Sequence, residues 1–209
     1  MEKERISGMI KNIIFDVGNV LLGFDPERYL EQRGYTENEK QILRKNMFGH
    51  PLWLDADRGV IEGDELREGF ALNDPEHREL ILDAYDNVEQ TIWEFDYTEQ
   101  WTRSLKERGY HLYILSNYGK DLHERTKHMM SFLPYMDGVV FSYECHLLKP
   151  EREMYEFICN KYSLDPSECV FMDDRKENID AAGAFGIYGI CFRNYDDVCT
   201  ELEELLYKK

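Results

Sequence analysis

The stretch IKNIIFDVGNV at residues 10–20 decides the fold that we predict for this chain. Its apolar first half predicts a buried strand that ends at Asp16. Gly18 and Asn19 then break the apolar pattern, which indicates a loop directly after the carboxylate. An acidic side chain therefore stands at the carboxyl end of a buried strand, which is the end at which parallel sheets bind ligands.

Three later segments carry further polar groups. They are Leu115-Ser116-Asn117, Leu148-Lys149-Pro150 and Phe171-Met172-Asp173-Asp174. The first and the third close apolar runs that predict strands, and the second precedes a predicted helix. Together with Asp16, these segments supply a carboxylate, a hydroxyl and an amide, an ammonium, and a pair of carboxylates. Phosphoryl chemistry uses groups of these kinds.

Helices and strands alternate along the chain after residue 97. The predicted helices cover residues 98–108, 120–130, 150–162, 177–185 and 196–206, with Thr98 as the N-cap of the first and Pro150 at the first position of the third. The predicted strands cover residues 10–15, 111–115, 139–142, 170–172 and 187–192. This alternation predicts an α/β fold, with a Rossmann-like parallel sheet that has helices on both faces.

Residues 25–96 differ from the rest of the chain. They are rich in Glu, Arg, Leu and Tyr at helical spacing, and they predict roughly three to five helices. No Gly, Ser or Pro linker separates them from their flanks, so we interpret them as an insertion into the α/β unit. The prediction is an α/β core domain over residues 9–24 and 97–209, with a helical domain over residues 25–96.

Composition and charge exclude several classes of partner. The 209 residues carry a formal net charge of −17, which argues against binding to nucleic acid or to anionic membrane surfaces. No apolar run approaches the roughly 18 residues of a membrane span, and residues 1–8 lack the apolar run of a signal peptide. The five cysteines contain no CxxC pair, and we expect a reduced, cytoplasmic protein.

Taken singly, most of the polar segments leave two interpretations open. Asp16 is placed to attack phosphorus as a covalent nucleophile, or it only turns the chain. Ser116 and Asn117 can hold phosphate oxygens, or they form an ordinary turn. Lys149 supplies a compact cation to a site, or it is a solvated surface lysine.

The pair Asp173-Asp174 carries more information. Two adjacent carboxylates after a buried strand repel each other unless a cation lies between them and Asp16. Hard oxygen ligands that are few in number favour Mg²⁺, which keeps water ligands and shares a phosphate oxygen. The alternative is a solvated acidic loop, which would lead a buried strand out of the core at a costly place.

In this order, Asp16, Ser116, Lys149 and the pair Asp173-Asp174 resemble the four motifs of the haloacid dehalogenase superfamily, and specifically of its phosphohydrolases. The resemblance covers nearly the whole chain, and the helical insertion is similar to the cap of one large subgroup. The string FDVGNVL is similar to a branch that includes sugar-1-phosphate phosphatases. The resemblance implies a Mg²⁺-dependent phosphatase of small phosphorylated metabolites, sugar phosphates foremost, that works through an aspartyl-phosphate. Dehalogenases lack this pair of metal carboxylates, which counts against that activity.

The resemblance also implies a role for each site residue. Asp16 would attack phosphorus, Ser116 would hold phosphoryl oxygens, and Lys149 would offset the charge of the nucleophile and the phosphate. The residues implied to bind phosphate are Gly18, Asn19, Ser116, Asn117 and Lys149. The implied Mg²⁺ ligands are Asp16, the main-chain carbonyl of Gly18, Asp174 and, as an outer-shell or second ligand, Asp173. Asn178 would position the loop that holds the last two.

One position departs from the superfamily's pattern. Its phosphatases usually carry a second aspartate two residues after the nucleophile, which protonates the leaving group and then activates water. Here Gly18 occupies that position. Because such general acid–base catalysis is worth about 10²–10⁴ in rate, its loss has three possible consequences. The enzyme acts on good leaving groups such as anomeric sugar phosphates or acyl phosphates, another group from the cap or a bound water replaces the acid, or turnover is weak or absent. The last leaves an alternative function, a regulatory protein that binds phosphate or metal without turnover.

The resemblance places substrate choice in the cap, where His50, Trp53, Asp57 and Arg58 lie close together in sequence. A loop that presents Trp53 and Arg58 could cover a sugar. The simpler alternative is that Trp53 belongs to the core of the cap and that the charged side chains face solvent.

Overall fold

The computed structural model of the protein describes residues 10–207 and confirms the predicted α/β fold. Its strands are β1 Asn12–Phe15, β2 Leu22–Phe24, β3 Ile92–Glu94, β4 His111–Ser116, β5 Gly138–Phe141, β6 Cys169–Asp173 and β7 Tyr188–Cys191. Five of them form a parallel sheet in the order β5-β4-β1-β6-β7, so β1 is central. Residues 1–9, 208 and 209 lie outside the described part. The expectation about a signal peptide concerns these residues, as do the first residue and the last two residues of the predicted core domain.

The helices fall into two groups. Those before residue 97 are α1 Pro26–Gln32, α2 Glu37–Leu43, α3 Leu52–Asp57, α4 Gly63–Leu72 and α5 Arg78–Asp86. Those after it are α6 Thr98–Glu107, α7 Lys120–Thr126, α8 Ser142–Cys145, α9 Arg152–Tyr162, α10 Lys176–Phe185 and α11 Tyr195–Tyr207. None of the helices in the described part of the chain has the length and apolarity needed to cross a bilayer.

The sheet separates two apolar layers, because successive side chains of a strand point to opposite faces. Ile13 and Phe15 of β1 pack in the layer that contains α6 and α11. Ile14, between them, packs in the layer that contains α9 and α10. All three side chains are fully buried, so the central strand is held from both sides and its carboxyl end has a fixed position.

Local sequence signals explain the first helices of the insertion. Asp25 caps α1 by accepting a hydrogen bond from the backbone N–H of Arg28 at 3.0 Å, and Pro26 occupies the first turn. Thr36 and Glu39 form a reciprocal capping box at the start of α2. The five α-helices of this stretch agree with the predicted helical content of residues 25–96.

Two short strands frame the insertion and were not predicted. β2 and β3 pair in antiparallel fashion, with Gly23 opposite Trp93. Each strand has only three residues, which is too short for an alternating apolar pattern to be recognised. The ribbon brings the two ends of the stretch between residues 24 and 92 together, with Phe24 opposite Ile92.

Two helix starts differ from the sequence expectation. Thr98 was expected to be an N-cap, but it is the first residue of α6, and its hydroxyl donates to the carbonyl of Leu21 at 2.7 Å. Pro150 was expected at the first position of a helix, but α9 begins at Arg152. The Thr98 hydroxyl binds the carbonyl of Leu21 instead of capping the helix. A sequence pattern does not reveal such a contact between distant residues.

We expect Gly23→Ala to lower the free energy of unfolding by about 1–3 kcal/mol, as overpacking does. A Cβ at Gly23 would lie 2.1 Å from Cε2 of Trp93, so the indole or the ribbon must move. Urea unfolding measures the change. The matched control is Gly183→Ala in α10, where a Cβ meets nothing within 4 Å and we expect a gain of about 0.5–1 kcal/mol. A Gly23→Ala protein as stable as the wild type would contradict this packing.

Candidate active site

The predicted site residues meet where three neighbouring strands end. Asp16 directly follows β1, Ser116 is the last residue of β4, and Asp173 is the last residue of β6. These strands are adjacent in the sheet, so their carboxyl ends lie side by side. Lys149 reaches the same place from the loop between α8 and α9.

Asp16 is buried and closely surrounded by donors. Its Oδ1 accepts a hydrogen bond from the Ser116 hydroxyl at 2.6 Å and from the backbone N–H of Val17 at 2.7 Å. The same oxygen lies 2.8 Å from Nζ of Lys149. Burial raises the pKa of Asp16 to about 6, and Asp173 adds to this, although Lys149 and Ser116 favour the ionised form.

Lys149 joins two carboxylates in the interior. Its side chain is 1% exposed, and its Nζ lies 2.8 Å from Asp16 and 2.6 Å from Asp173. Burial opposes the charge on the ammonium, but the two carboxylates outweigh it and hold the pKa of Lys149 above its usual value. The solvated surface lysine considered from the sequence is therefore not what the structure shows.

Asp173 is held in one orientation by the start of α10. The side-chain amide of Asn178 donates to both of its oxygens, at 2.9 and 3.0 Å, and the backbone N–H of Arg175 donates to Oδ1 at 2.8 Å. With Lys149 on Oδ2, both of its oxygens are engaged. This carboxylate is thus fixed by protein groups, while its neighbour Asp174 is less constrained.

Asp174 lies half-buried beside Asn19. The Asn19 side chain donates to Oδ2 of Asp174 at 3.0 Å and accepts from the backbone N–H of Phe24 at 3.0 Å. Asn19 has φ 56°, a left-handed conformation that asparagine tolerates better than most residues. Burial raises the pKa of Asp174, and Asp173 acts in the same direction. The structure therefore places Asn19 as a support for Asp174.

The three carboxylates fit a divalent cation. Ligand atoms of Asp16, Asp173 and Asp174 all lie within 4.8 Å of one another. Lys149 is the ammonium that contacts two of them, so the cluster keeps an excess of negative charge. Hard oxygen donors of this kind are the ligands that Mg²⁺ prefers.

Asn117 contributes through its side chain in a way the sequence did not indicate. Its amide donates to the carbonyl of Lys149 at 3.0 Å, and its carbonyl accepts from the Lys149 backbone N–H at 2.8 Å. This pair of hydrogen bonds joins the end of β4 to the lysine loop. Because 32 residues separate the two partners, only the folded chain reveals the contact.

A cavity of about 320 Å³ opens at Asp16. Its polar lining residues are Asp16, Gly18, Asp57, Asn117, Tyr118 and Arg175. Its apolar lining residues are Leu22, Phe24, Pro26, Phe48, Trp53, Ile92 and Leu122. The rings of Phe48 and Trp53 are stacked, with centroids 6.1 Å apart. Trp53 therefore belongs both to the aromatic packing of the insertion and to the wall of the cavity.

The remaining residues singled out in the insertion have different positions. Arg58 forms a bidentate ion pair with Glu151 at 2.5 and 3.1 Å, which ties the end of α3 to the core. His50 packs edge-on against Phe70 inside the insertion. Asp57 lines the cavity beside Asp16, whereas the sequence marked it only as a charged neighbour of Trp53 and Arg58 and predicted no specific role for it.

Comparison with known proteins places the chain among relatives of the same fold. Flavin mononucleotide hydrolase 1 of Arabidopsis thaliana is 23% identical over 79% of this chain and 66% of its own length. The D-ribitol-5-phosphate phosphatase of Bacteroides thetaiotaomicron is 26% identical over 95% of this chain and 99% of its own length. A haloacid dehalogenase-family enzyme from the same bacterium was solved with magnesium and inorganic phosphate. It is 26% identical, covers 90% of this chain and 98% of its own, and has a TM-score of 0.72.

The family model described as haloacid dehalogenase-like hydrolase matches residues 10–186, which include every strand end that carries a site residue. The sequence resemblance to the phosphohydrolases of this superfamily is thereby confirmed at the level of the family. The chain belongs to the haloacid dehalogenase-like hydrolases.

Proposed function

We propose that this hydrolase is a Mg²⁺-dependent phosphatase that releases phosphate from small phosphorylated metabolites through an aspartyl-phosphate at Asp16. One observation carries the proposal. Asp16 lies against both the Ser116 hydroxyl and the Lys149 ammonium, and it shares a cluster with two further carboxylates. A nucleophile, a hydroxyl that can hold a phosphoryl oxygen, and a cation are thus within contact distance of one another.

In the first step, an oxygen of Asp16 forms a bond to phosphorus, and the bond from phosphorus to the leaving oxygen breaks. The Ser116 hydroxyl and the backbone N–H of Asn117 hold the phosphoryl oxygens, and Lys149 offsets the charge of the nucleophile and the phosphate. In the second step, a water oxygen attacks phosphorus, the bond to Asp16 breaks, and inorganic phosphate leaves. The carboxylate is then ready for the next turnover.

Asp16, Asp174 and the carbonyl of Gly18 would hold Mg²⁺, with Asp173 as an outer-shell or second ligand. Bound Mg²⁺ supplies positive charge that stabilises phosphoryl oxygens as negative charge develops on them. Two asparagines of the chain orient the carboxylates that would bind the cation. Asn19 and Asn178 hold the two ligating loops in place through their hydrogen bonds to Asp174 and Asp173.

Residues 25–96 act as the cap in this proposal, over the core formed by residues 10–24 and 97–207 of the described chain. Phe48, Trp53 and Asp57 of the insertion form part of the cavity wall above Asp16. Such a cap admits the substrate, excludes bulk water and selects the group that carries the phosphate.

The walls of the cavity bear on the substrate. Sugar phosphates remain the first expectation, because the C–H face of a sugar can stack on an aromatic ring such as that of Trp53. The apolar lining also accepts a planar ring or a hydrocarbon chain. The charged residues of the site bind the phosphate group that all these substrates share. The apolar part of the cavity therefore selects among the sugar, the planar ring and the hydrocarbon chain.

Phosphate release from a panel of substrates tests the function. The panel contains an anomeric hexose phosphate, a polyol phosphate, flavin mononucleotide and an isoprenyl phosphate, each assayed with Mg²⁺ and with EDTA. We expect turnover that EDTA abolishes and added Mg²⁺ restores, with the highest kcat/KM on a sugar or polyol phosphate. No release from any substrate, while Mg²⁺ still binds, would favour the regulatory protein without turnover.

A further inference from the structure

Asp57 is an acidic residue in the cavity that the mechanism above does not use. It is the last residue of α3, and it lines the same cavity as Asp16 and Gly18. The insertion therefore brings a carboxyl group to the cavity at Asp16.

Several contacts hold Asp57 in place. The hydroxyl of Ser142, the first residue of α8, donates to the backbone carbonyl of Asp57. The next residue, Arg58, pairs with Glu151 of the core and donates to the carbonyl of His146 at 3.1 Å. A residue anchored on the core from both sides keeps a constant position relative to the ends of the strands.

The close approach of α3 to the core depends on Gly59. A Cβ there would lie 2.5 Å from the carbonyl oxygen of Tyr143, and Gly59 has φ +70°. Gly119 packs against the end of α3, where a Cβ would be in ordinary contact with Oδ1 of Asp57 at 3.5 Å. The absence of a side chain at Gly59 allows α3 to lie on the core with its acidic end beside Gly119.

The surroundings of Asp57 favour a carboxyl that can carry a proton. No salt bridge to Asp57 occurs within residues 10–207, and its polar neighbour is the backbone amide of Gly119. Burial raises the pKa of Asp57 to about 7, against the effect of that amide, and the charge of Asp16 raises it further. Lys149 acts in the opposite direction, and Tyr118 and Arg175 are the other titratable side chains of the cavity wall.

The position that lacks an acid is open toward this cavity. A Cβ at Gly18 meets nothing within 4 Å, so the backbone there leaves space for other groups to approach. Gly18 and Asp57 both line the cavity, one from the core and one from the insertion. Asp57 therefore supplies a carboxyl group to the cavity, although the loop after Asp16 carries none at position 18.

We propose that Asp57 is the catalytic acid and base of this enzyme, in place of the aspartate that is absent at position 18. The inference rests on the proposed phosphatase function. As Asp16 bonds to phosphorus, the protonated Asp57 gives its proton to the leaving oxygen. The ionised Asp57 then takes a proton from the water that attacks the aspartyl-phosphate. Each turnover returns Asp57 to its protonated form, and one water is consumed for each phosphate released.

The test compares Asp57→Asn with the wild type on two phosphate esters in Mg²⁺. An alkyl phosphate needs protonation of its leaving oxygen, and we expect its kcat/KM to fall by about 10²–10⁴. For p-nitrophenyl phosphate, whose leaving oxygen needs little help, we expect kcat/KM to fall by less than about tenfold, because kcat/KM reports the steps up to release of p-nitrophenolate and not the later hydrolysis of the aspartyl-phosphate. The alkaline decrease of kcat/KM for the alkyl ester, which reports loss of the proton from the acid, should also disappear.

Two variants serve as controls. Asp55→Asn changes an exposed carboxylate on the same helix and should leave both rates within about twofold. The double variant Gly18→Asp with Asp57→Asn restores an acid from the other side of the cavity, and the alkyl rate should recover at least about tenfold. Equal losses on both esters, or no loss on either, would overturn the role of Asp57. A wild type that releases no phosphate from any ester would instead overturn the proposed function, and this inference with it.

A stability measurement separates catalysis from a structural role. Because the folded state holds the pKa of Asp57 above its unfolded value, ionised Asp57 destabilises the fold progressively as the pH rises to about 7. In EDTA, Asp57→Asn should therefore raise the melting temperature at pH 8 more than at pH 5. If Asp57 only fastened the backbone near Gly119, the same variant would lower the melting temperature.

Discussion

Asp16→Asn should abolish phosphate release, with a loss in kcat of about 10⁴-fold or more, as removal of a covalent nucleophile does in other hydrolases. The amide oxygen is a poor nucleophile, so no aspartyl-phosphate can form. The substitution changes no volume, and Ser116 can still donate to the amide oxygen. The measurement is phosphate release under the conditions in which the wild type is most active, together with a test for acid-stable, hydroxylamine-sensitive phosphate on the protein.

The matched control is Asp196→Asn, an exposed aspartate at the start of α11, which should keep wild-type turnover. Asp16→Asn that retains more than about one-hundredth of wild-type kcat would exclude Asp16 as the nucleophile. Asp16 could then serve only as a metal ligand, and raised Mg²⁺ should restore turnover. The proposed mechanism predicts no such recovery at any Mg²⁺ concentration.

The core of the candidate site was accessible to sequence reasoning for a physical reason. Asp16, Ser116 and Asp173 each end a buried apolar strand, and neighbouring parallel strands present these ends at one edge of the sheet. The alternation of helices and strands predicted the parallel sheet, and the parallel sheet predicted that these residues meet at one edge. The order and spacing of the site residues indicated the family, which a family model over residues 10–186 confirms.

The parts that sequence reasoning missed depend on contacts between distant segments. Asp57 stands out in the sequence only as one of four neighbouring residues of the cap, because its place in the cavity depends on the pair Arg58–Glu151, separated by 93 residues. The side chain of Asn117 holds the Lys149 backbone across 32 residues. Neither contact leaves a periodic or compositional signal. The sequence could suggest that a group of the cap replaces the missing acid, but it could not say which one.

Lys149→Met should lower the free energy of unfolding by about 3–5 kcal/mol, because it leaves two buried carboxylates without their cation. Asp173 is fully buried and Asp16 nearly so, and Lys149 contacts both. Urea unfolding in EDTA measures the loss. The matched control is Lys176→Met, since that lysine is 76% exposed and pairs with Asp180 at the surface. We expect the control to change stability by less than about 0.5 kcal/mol.

Mg²⁺ should stabilise Lys149→Met more than it stabilises the wild type. A ligand that binds only the folded state stabilises it according to its affinity, and Lys149→Met leaves a more negative cluster for the cation to bind. The rise in unfolding free energy on adding Mg²⁺ should therefore be larger for Lys149→Met than for the wild type. Turnover should nevertheless stay low, because a cation at the carboxylates does not replace an ammonium against the nucleophile and the phosphate. An equal rise in unfolding free energy in both proteins would show that Lys149 and Mg²⁺ do not interact with the same carboxylates. It would contradict the metal site inferred from Asp16, Asp173 and Asp174.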